Sequence, residues 1–523
     1  ERSANTNVCA TQTKSHKSKI PSPGEIVSAM LLLSIAIVAL TYALGRHLHE
    51  IWKYRHIPGK SQLLPYFPFR VPFFAPYLYL NNHQETIRLG STCYRQYPIY
   101  RITAGWTTTI MVNSAEALRH ILLKDASNYV KPDVYQGLDI FGDNIVTVSD
   151  AEEHRRHRKV ADPAFREKNL RELVNISNRS TDLLIKRMEK NMKLEVNIDF
   201  MDVTMDVIGK SNFGVDLNVF HESDVNAKHS LFDKTKHLKS FYDALETTAT
   251  AGLALQMFVP KWLHSLPLFR SITVGGINET RQYIKELIAA RSSSSEASGA
   301  DLLSLLLESN ENGEEENKLT EEELIADSFV FLFAGHETSA TNLGHLFVEL
   351  AKNPHVQDKC IEEIDRVLSG QDFTYDHFNA LPYCMNCIKE SLRRHSAVEV
   401  IPKTPKANLN LCGYNIPKNS FLWIDIYRTH LNSENWKDPF TFNPDRFNEK
   451  YDPLAYLPFS FGTRKCVGFQ FSYVETLAIL VRLLQKYRFE LEAGKDPKTY
   501  YPELAQVITI KIQHEELVMK PRK

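Results

Sequence analysis

The chain has 523 residues, of which 43% are hydrophobic and 24% charged, and its formal net charge is −1. This charge gives no general attraction to nucleic acid, and no such partner is expected. The length allows several domains, but no repeat and no Gly/Ser/Pro-rich linker divides the sequence, so one large domain is predicted. The seven cysteines form no regular framework, which favours a reducing compartment.

The amino end contains an uncharged apolar segment, Ile26 to Leu44. It is long enough to cross a bilayer core of about 30 Å as a helix. The alternative, a cleaved signal peptide, usually has an apolar core of about 7 to 15 residues and a small-residue cleavage site, which is not found here. We predict a tail over 1–25, a transmembrane anchor over 26–44, a linker over 45–60 that ends in a Pro58-Gly59 hinge, and one domain over 61–523. Basic residues on both sides leave the direction of crossing open.

The remaining chain is mostly helical in pattern, with a few alternating segments that predict hairpins. Hairpins are predicted at Tyr100–Ile102 with Thr107–Val112 and around Gly413–Asn415, and helices at Phe165–Glu189, Thr280–Arg291, Pro354–Leu368 and Phe469–Leu484. The low-complexity stretches Ser292–Gly299 and Asn310–Asn317 are typical of surface loops. The apolar segment Leu253–Leu268 suits either a core segment or an exposed surface.

The longest predicted helix begins at a capping box, Thr320 to Glu323, and runs to Lys352 before Asn353-Pro354. At 1.5 Å per residue it spans about 50 Å. Its middle reads Ala-Gly-His-Glu-Thr-Ser over residues 334–339, and an acidic and a hydroxyl residue inside an apolar helix need a reason. The ordinary explanation is a solvated glutamate and a threonine bonded to its own helix. The histidine and glutamate do not begin an H-E-x-x-H zinc motif, because residue 340 is alanine.

Two further patterns precede the last helix. Glu390 and Arg393 stand one helical turn apart and can pair, although such pairs are common on surface helices. A proline-rich segment, residues 436–447, then contains Arg446. Cys384 and Cys387 form a lone C-x-x-C without a second pair, so we expect two thiols on a helix surface.

The most informative feature is a cysteine set among glycines, an arginine and an aromatic residue. The motif consists of Phe459, Gly462, Arg464, Cys466 and Gly468. The glycines let the chain turn tightly and point amides at the sulfur, and the following helix adds positive potential from its amino end. The arginine supplies a cation for a carboxylate. This arrangement suits a thiolate ligand of haem iron, the alternative being a buried structural cysteine.

These residues fill every position of F-x-x-G-x-R-x-C-x-G, and the sequence resembles the cytochrome P-450 superfamily, in particular its eukaryotic microsomal members. The resemblance covers about Ile57 to Lys523. It implies a mainly α fold with a small β-rich lobe, preceded by a single N-terminal transmembrane helix. It also implies haem b (iron protoporphyrin IX) as cofactor, with Cys466 as the metal ligand.

The resemblance also assigns roles to the other motifs. Ala334 and Gly335 would leave room for dioxygen, while Glu337 and Thr338 relay protons. Glu390, Arg393 and Arg446 would form a buried network that supports the cysteine loop. The residues expected at the haem propionates are Arg158, His154, Lys403 and Arg464. In the family a tryptophan usually stands at the position of His154, and an imidazole can still donate a hydrogen bond there.

The implied activity is insertion of one oxygen atom from O2 into a lipophilic organic substrate. NADPH would supply the electrons through NADPH–cytochrome P-450 reductase, with cytochrome b5 as a second donor. The chain itself shows no flavin, nicotinamide or iron–sulfur motif. The basic residues expected to receive the reductase are Arg155, Arg156, Arg158, Lys159 and Lys465, although a basic run is also an ordinary solvated face. The expected location is the endoplasmic reticulum membrane, crossed once, with the catalytic domain in the cytosol and the 253–268 segment as a lid near the lipid.

The pocket implied by the resemblance is mostly apolar, which favours a fatty acid, terpenoid, sterol or xenobiotic substrate. Its segments are Tyr135–Ile145, Phe331–Thr338, Val398–Ile401, Val507–Ile510 and the lid. Glu399 stands out among them and is expected to face solvent. Two other activities remain open at this point: an O2-independent haem-thiolate isomerase or dehydratase, and a non-catalytic haem-binding protein.

Overall fold

Helices make up most of the described chain. The structure is a computed structural model that describes residues 23–62, 97–104, 107–217, 219–220, 241–252, 255–256, 259, 261–293, 301–506 and 509–522. Predicted features that fall at least partly outside these residues are the amino-terminal tail, the serine-rich loop, part of the lid, and Val507 with Ile508.

The α-helices follow in chain order. They are α1 (Pro23–Lys53), α2 (Ala115–Arg119), α3 (Ala151–Ala161), α4 (Glu167–Met188), α5 (Val196–Phe213), α6 (Phe241–Thr247), α7 (Arg270–Ile272), α8 (Glu279–Ser293), α9 (Leu302–Glu311), α10 (Glu321–Lys352), α11 (Pro354–Leu368), α12 (Pro382–Arg394), α13 (Ile426–His430) and α14 (Phe469–Lys486). Short 3-10 and π-helical turns join several of them.

The strands form one larger sheet and several small ones. They are β1 (Gly59–Gln62), β2 (Ile99–Ala104), β3 (Thr107–Val112), β4 (Tyr129–Val130), β5 (Lys193–Glu195), β6 (Val400–Pro405), β7 (Leu409–Leu411), β8 (Tyr414–Ile416), β9 (Phe421–Asp425), β10 (Tyr487–Leu491), β11 (Glu503–Gln506), β12 (Ile510–Gln513) and β13 (Glu516–Pro521). The larger sheet has six strands in the order β1-β2-β3-β9-β6-β4. The expected fold class, mainly helical with a small β-rich lobe, is confirmed.

Helix α10 lies at the centre of the helical part. It has the predicted bounds, and both hydrogen bonds of the capping box at Thr320 are present. Almost all of its residues are buried, because α5, α12 and α14 pack around it. A buried helix of this length fixes its middle residues firmly with respect to the cysteine loop that precedes α14.

The amino-terminal helix continues past the predicted end at Leu44 to Lys53. Among the described helices, α1 alone is long and apolar enough to cross a membrane: its segment Met30–Lys53 has 24 residues and contains an 18-residue window with a mean hydropathy of 1.7. After it, Tyr54 and Ile57 are buried in the β-rich lobe. Much of the expected linker is therefore regular structure.

The predicted Pro-Gly hinge is part of a sheet. Gly59 begins β1, which pairs in parallel with β2. A Cβ atom at Gly59 would lie 2.1 Å from the carbonyl oxygen of Arg101, so the position has no space for a side chain. The glycine thus permits a close backbone approach.

Helix α12 corrects the expectation of two surface thiols. Cys384 and Cys387 are fully buried, and the sulfur of Cys387 lies 3.3 Å from that of Cys360 on α11. The two cysteines lie on the face of α12 that packs against α11 and α14, which the short spacing alone did not reveal. No group of His, Cys, Asp or Glu among the described residues is arranged to hold a metal ion.

Candidate functional site

The cysteine loop has an unusual backbone. Ser460 and Gly462 both have positive φ angles, 61° and 77°. A Cβ atom on Gly462 would lie 2.5 Å from the carbonyl oxygen of Leu122, so glycine is needed for space as well as for conformation. The amide of Cys466 donates to the carbonyl of Phe459 over 3.0 Å, which closes the loop.

Cys466 is accessible although protein surrounds it. The residue is exposed, yet desolvation by surrounding protein raises the pKa of the thiol, against the opposing effects of the Gly468 amide, Arg158 and Lys465. An accessible sulfur in such surroundings has room beside it for a bound group. A thiolate there needs a further positive charge, and haem iron would supply it. The site thus fits the group that the sequence implies.

A group of basic side chains converges near this loop. Its members are Lys131, His154, Arg158, Lys403 and Arg464. Desolvation, Arg464 and Lys403 lower the pKa of Lys131 to about 6, and desolvation and Arg464 lower the pKa of Lys403 to about 8. Half-buried cations that repel each other need anionic partners, and two haem propionates match that requirement.

Lys131 was not predicted from the sequence. Strand β4 pairs antiparallel with β6, with Tyr129 opposite Pro405 and Val130 opposite Thr404. Continued by one residue, this register places Lys131 opposite Lys403. Like charges at opposing positions destabilise a strand pair, so this arrangement also indicates an anionic ligand. A single sequence gives no signal for such a pairing, because the two lysines are distant in the chain.

The predicted propionate partners lie in this region with different local contacts. Arg464 donates to the backbone carbonyls of Val148, Ser149 and Asp150 over 2.8 to 2.9 Å. Arg158 donates to the carbonyl of Lys465 over 3.1 Å. His154 is buried, and desolvation together with nearby cations lowers its pKa to about 3. A neutral imidazole retains one N–H to donate.

The structure brings Glu390, Arg393 and Arg446 together. Arg393 binds both carboxylate oxygens of Glu390 over 2.8 Å, and Arg446 donates to the same carboxylate over 3.1 Å. Glu390 and Arg393 are fully buried. Such a bidentate buried pair requires a fixed geometry of the surrounding chain.

His430 links this pair to the cysteine loop and was not found from the sequence. Arg393 donates to the carbonyl of His430 over 2.7 Å, and the His430 ring accepts from the amide of Leu457 over 2.7 Å. Desolvation first, and then Arg393, lowers the pKa of His430 to about 3, so its ring is neutral. The contacts run from α12 to the residues just before Phe459.

The middle of α10 presents one partly exposed face within an otherwise buried helix. Ala334, Gly335 and Thr338 form this face, and the residues on both sides of them are buried. The Thr338 hydroxyl donates to the carbonyl of Ala334 over 2.7 Å, as the ordinary explanation expected. A Cβ atom on Gly335 would lie 2.7 Å from Ile208, which shows how closely α5 approaches.

Glu337 lies beside this face and is held from the opposite side. Its Oε1 atom accepts from the Thr509 hydroxyl over 2.7 Å and lies 3.0 Å from the Lys511 ammonium. The Glu337 side chain is therefore buried and paired, and not solvated. Thr509 falls in the expected pocket segment Val507–Ile510, but its contact with Glu337 and the role of Lys511 were not predicted, because the hairpin is distant in sequence.

Glu399 lies in the core and not in solvent. It is buried, and desolvation and the nearby Asp425 raise its pKa well above the usual range. Its neighbours Val398 and Val400 are only partly buried, and just before β6 the carbonyl of Glu399 accepts from the amide of Ile426 over 2.9 Å. The expectation of a solvated glutamate overlooked the sheet on that side.

Another buried acid, Glu475 on α14, yields a testable pH dependence. Neither of its oxygens has a well-formed hydrogen bond among the described residues. Desolvation raises its pKa from 4.5 to about 8, although the Ser339 hydroxyl partly opposes this. Between these two values the native state keeps a proton that the unfolded chain has released. The free energy of unfolding therefore falls as pH rises, by about 1.4 kcal/mol per pH unit.

A Glu475→Gln variant removes this titration. The difference between its melting temperature and that of wild type should increase in favour of the variant from about pH 5 to about pH 8. A Glu490→Gln variant, changed at an exposed position of β10, serves as control and should follow the wild-type curve. Parallel curves for Glu475→Gln and wild type would show that Glu475 is ionised in the native state.

Comparisons with known proteins identify the family. A family profile described as Cytochrome P-450 matches residues 65–516. Cytochrome P-450 3A2 of Rattus norvegicus is 28% identical, with 89% of this chain and 92% of that protein covered. Cytochrome P-450 3A5 of Homo sapiens is 26% identical over 90% and 92% of the two chains. Cytochrome P-450 monooxygenase 124 of Postia placenta is 30% identical over 89% and 92%. The chain therefore belongs to the cytochrome P-450 family of haem-thiolate monooxygenases.

Proposed function

We propose that this enzyme uses haem b and electrons from NADPH, delivered by a reductase, to insert one atom of O2 into a lipophilic substrate at the endoplasmic reticulum membrane. The observation that carries the proposal is the Cys466 loop, in which the Gly468 amide points at the sulfur and a basic cluster lies beside it. When bound, the haem supplies the redox chemistry of oxygen activation.

The residues of the chain supply binding, orientation and proton transfer. Cys466 would bind the iron, and Lys131, Lys403 and His154 would meet the propionates together with the two arginines. Ala334 and Thr338 would face dioxygen from the partly exposed side of α10, where the small Gly335 also permits the close approach of α5. The carboxyl group of Glu337 would take up a proton and pass it to the threonine.

Membrane attachment is supported by two surfaces. Helix α1 has the length and hydropathy of a membrane span. In the lid region, Trp262 is 77% exposed and Leu268 is 68% exposed. Large apolar side chains in water are unfavourable, and a lipid surface would cover them. The anchor and the lid would together admit lipophilic molecules, with the catalytic domain on the cytosolic side.

A reductase would approach the basic side chains of α3. Arg155 and Lys159 are exposed there, and Lys465 lies close by on the cysteine loop. Some of this charge is offset locally, since Arg155 pairs with Glu152 and Arg158 with Asp162. The remaining charge suits an acidic flavoprotein domain, and cytochrome b5 would use the same face.

The substrate class follows from the walls of the proposed pocket. Phe141, Ile145, Phe329 and Phe331 belong to one apolar core cluster beside the inner face of α10. Aromatic and aliphatic walls favour a lipid, terpenoid, sterol or xenobiotic. The buried position of Glu399 argues against its use as a partner for a cationic substrate group.

The test is turnover of the full chain in lipid with a purified microsomal reductase. Ferric protein is first titrated with fatty acids, terpenoids, sterols and alkaloids, and the ligand that changes the haem spectrum most strongly is then used as substrate. We expect NADPH and O2 to be consumed together with formation of an oxygenated product. Product formation without NADPH and O2 would indicate the isomerase or dehydratase alternative and overturn the proposal.

Lys131 offers a separate prediction on cofactor retention. A Lys131→Met variant keeps the length of the side chain but removes a charge from the proposed propionate site. Transfer of haem to excess apomyoglobin should become about tenfold faster, which corresponds to the loss of one charge-assisted hydrogen bond. The control is Lys159→Met, at an exposed lysine, which should transfer haem at the wild-type rate. Equal rates for all three proteins would exclude Lys131 from the propionate site.

A further inference from the structure

The carboxylate of Glu337 is held by the hairpin near the carboxyl end of the chain. Thr509 donates its hydroxyl to Oε1 over 2.7 Å, and the ammonium of Lys511 lies 3.0 Å from the same oxygen. Thr509 is 1% exposed, whereas the side chain of Lys511 is 25% exposed and that of Glu337 is 9% exposed. The three residues thus connect the protein surface with the middle of α10.

The local structure explains why both partners reach the same carboxylate. Thr509 and Lys511 are two residues apart in extended chain at the start of β12, so their side chains point to the same side. Ile510 between them is fixed separately, because its carbonyl accepts from Nε2 of His345 over 2.8 Å. His345 lies about two turns beyond Glu337 on α10. The hairpin is therefore bound to α10 at two positions, Glu337 and His345.

Both contacts use Oε1 of Glu337. The clamp formed by Thr509 and Lys511 therefore leaves Oε2 for exchange of a proton. Thr338 follows Glu337 directly and lies on the partly exposed inner face of α10. A carboxylate that is anchored at one oxygen and free at the other can pass a proton without leaving its position.

We propose that Lys511 and Thr509 are positioning residues for proton delivery, which hold Glu337 between solvent and Thr338. This inference rests on the proposed proton-relay role of Glu337 and Thr338. The simpler explanation is a structural tie between the hairpin and α10. Because Glu337 is buried, such a tie would contribute to stability whether or not the clamp positions the carboxylate. A tie and a positioning clamp differ in what they change: only the clamp affects whether oxygen is released as peroxide or reduced to water.

Oxygen reduction without substrate measures that fate directly. With too few protons the enzyme releases peroxide: O2 + NADPH + H⁺ gives H2O2 and NADP⁺. With sufficient protons it forms water: O2 + 2 NADPH + 2 H⁺ gives 2 H2O and 2 NADP⁺. The ratio of peroxide formed to NADPH oxidised, measured with the full-length holoenzyme and a microsomal reductase, therefore reports proton delivery.

The experiment compares five variants with wild type, and one of them, Glu337→Gln, tests the relay itself. Lys511→Met removes the charge, Lys511→Arg keeps it, Thr509→Val removes the hydroxyl at constant volume, and Lys520→Met is the control at an exposed lysine of β13. We expect Lys511→Met and Thr509→Val to raise the peroxide ratio about threefold, a small part of the effect of general acid catalysis, and to enlarge the solvent deuterium isotope effect on NADPH oxidation. Lys511→Arg and Lys520→Met should match wild type.

The outcomes separate this inference from the function on which it rests. If Glu337→Gln raises the peroxide ratio while Lys511→Met and Thr509→Val do not, the clamp is only structural and the inference is overturned. If Glu337→Gln also leaves the ratio unchanged, the proposed relay itself fails. The carbon monoxide spectrum of each variant verifies that haem is bound. Should Lys511→Met lose haem, the isosteric Thr509→Val variant decides the question.

Discussion

A Cys466→Ala variant is expected to lose the red-shifted Soret band of the reduced, carbon monoxide-bound protein and all oxygenase activity. The band depends on a thiolate that donates electron density to the iron. Desolvation by the surrounding protein raises the pKa of this thiol, and a bound metal would keep it as thiolate. The other described cysteines lie elsewhere, since Cys360, Cys384 and Cys387 are buried in an apolar cluster and Cys412 lies between β7 and β8.

Two further variants make this result decisive. Cys412→Ala changes a partly buried free cysteine outside the loop and should leave the band intact. Cys466→His offers a nitrogen ligand, so haem should remain bound while the carbon monoxide band moves to shorter wavelength. A Cys466→Ala protein that keeps the red-shifted band would exclude this cysteine as the ligand and, with it, the whole proposed site.

The parts of the fold that were predictable depend on contacts near in sequence. Helix α10 has the predicted bounds because a capping box at Thr320 and a proline at 354 mark both ends. The turn at Gly413, with φ of 84°, joins two strands as its flanking residues indicate. The cysteine loop is likewise local, since its glycines and its sulfur lie within one short segment.

The errors and omissions concern contacts between distant segments. Lys131 meets Lys403 only because β4 and β6 pair, and no local pattern encodes that register. Cys384 was expected at the surface because a short amphipathic helix does not reveal how much of its face another helix will cover. Glu399 was placed in solvent for the same reason, because burial by a neighbouring sheet is a tertiary effect that local polarity does not report.

The structural network gives the second large prediction: an Arg393→Met variant should lose about 3 to 5 kcal/mol of unfolding free energy. The change leaves the fully buried Glu390 carboxylate with Arg446 as its remaining guanidinium partner. It also removes donors to the carbonyls of His430 and Pro439. Because His430 holds the amide of Leu457 just before the cysteine loop, the red-shifted carbon monoxide band should weaken as well. Denaturant titration and the carbon monoxide spectrum measure the two effects.

The charge left behind, and not the lost volume, should account for most of this cost. A Glu390→Gln/Arg393→Met/Arg446→Met triple variant removes all three charges of the network, so it should be more stable than Arg393→Met alone. The matched control is Arg155→Met, at an arginine whose side chain is 61% exposed and whose ion pair with Glu152 lies on the surface, where such pairs contribute little. A triple variant less stable than Arg393→Met would mean that the network acts through packing. In that case the loop would depend on the shape of these side chains, and the carbon monoxide band would not recover when the three charges are removed together.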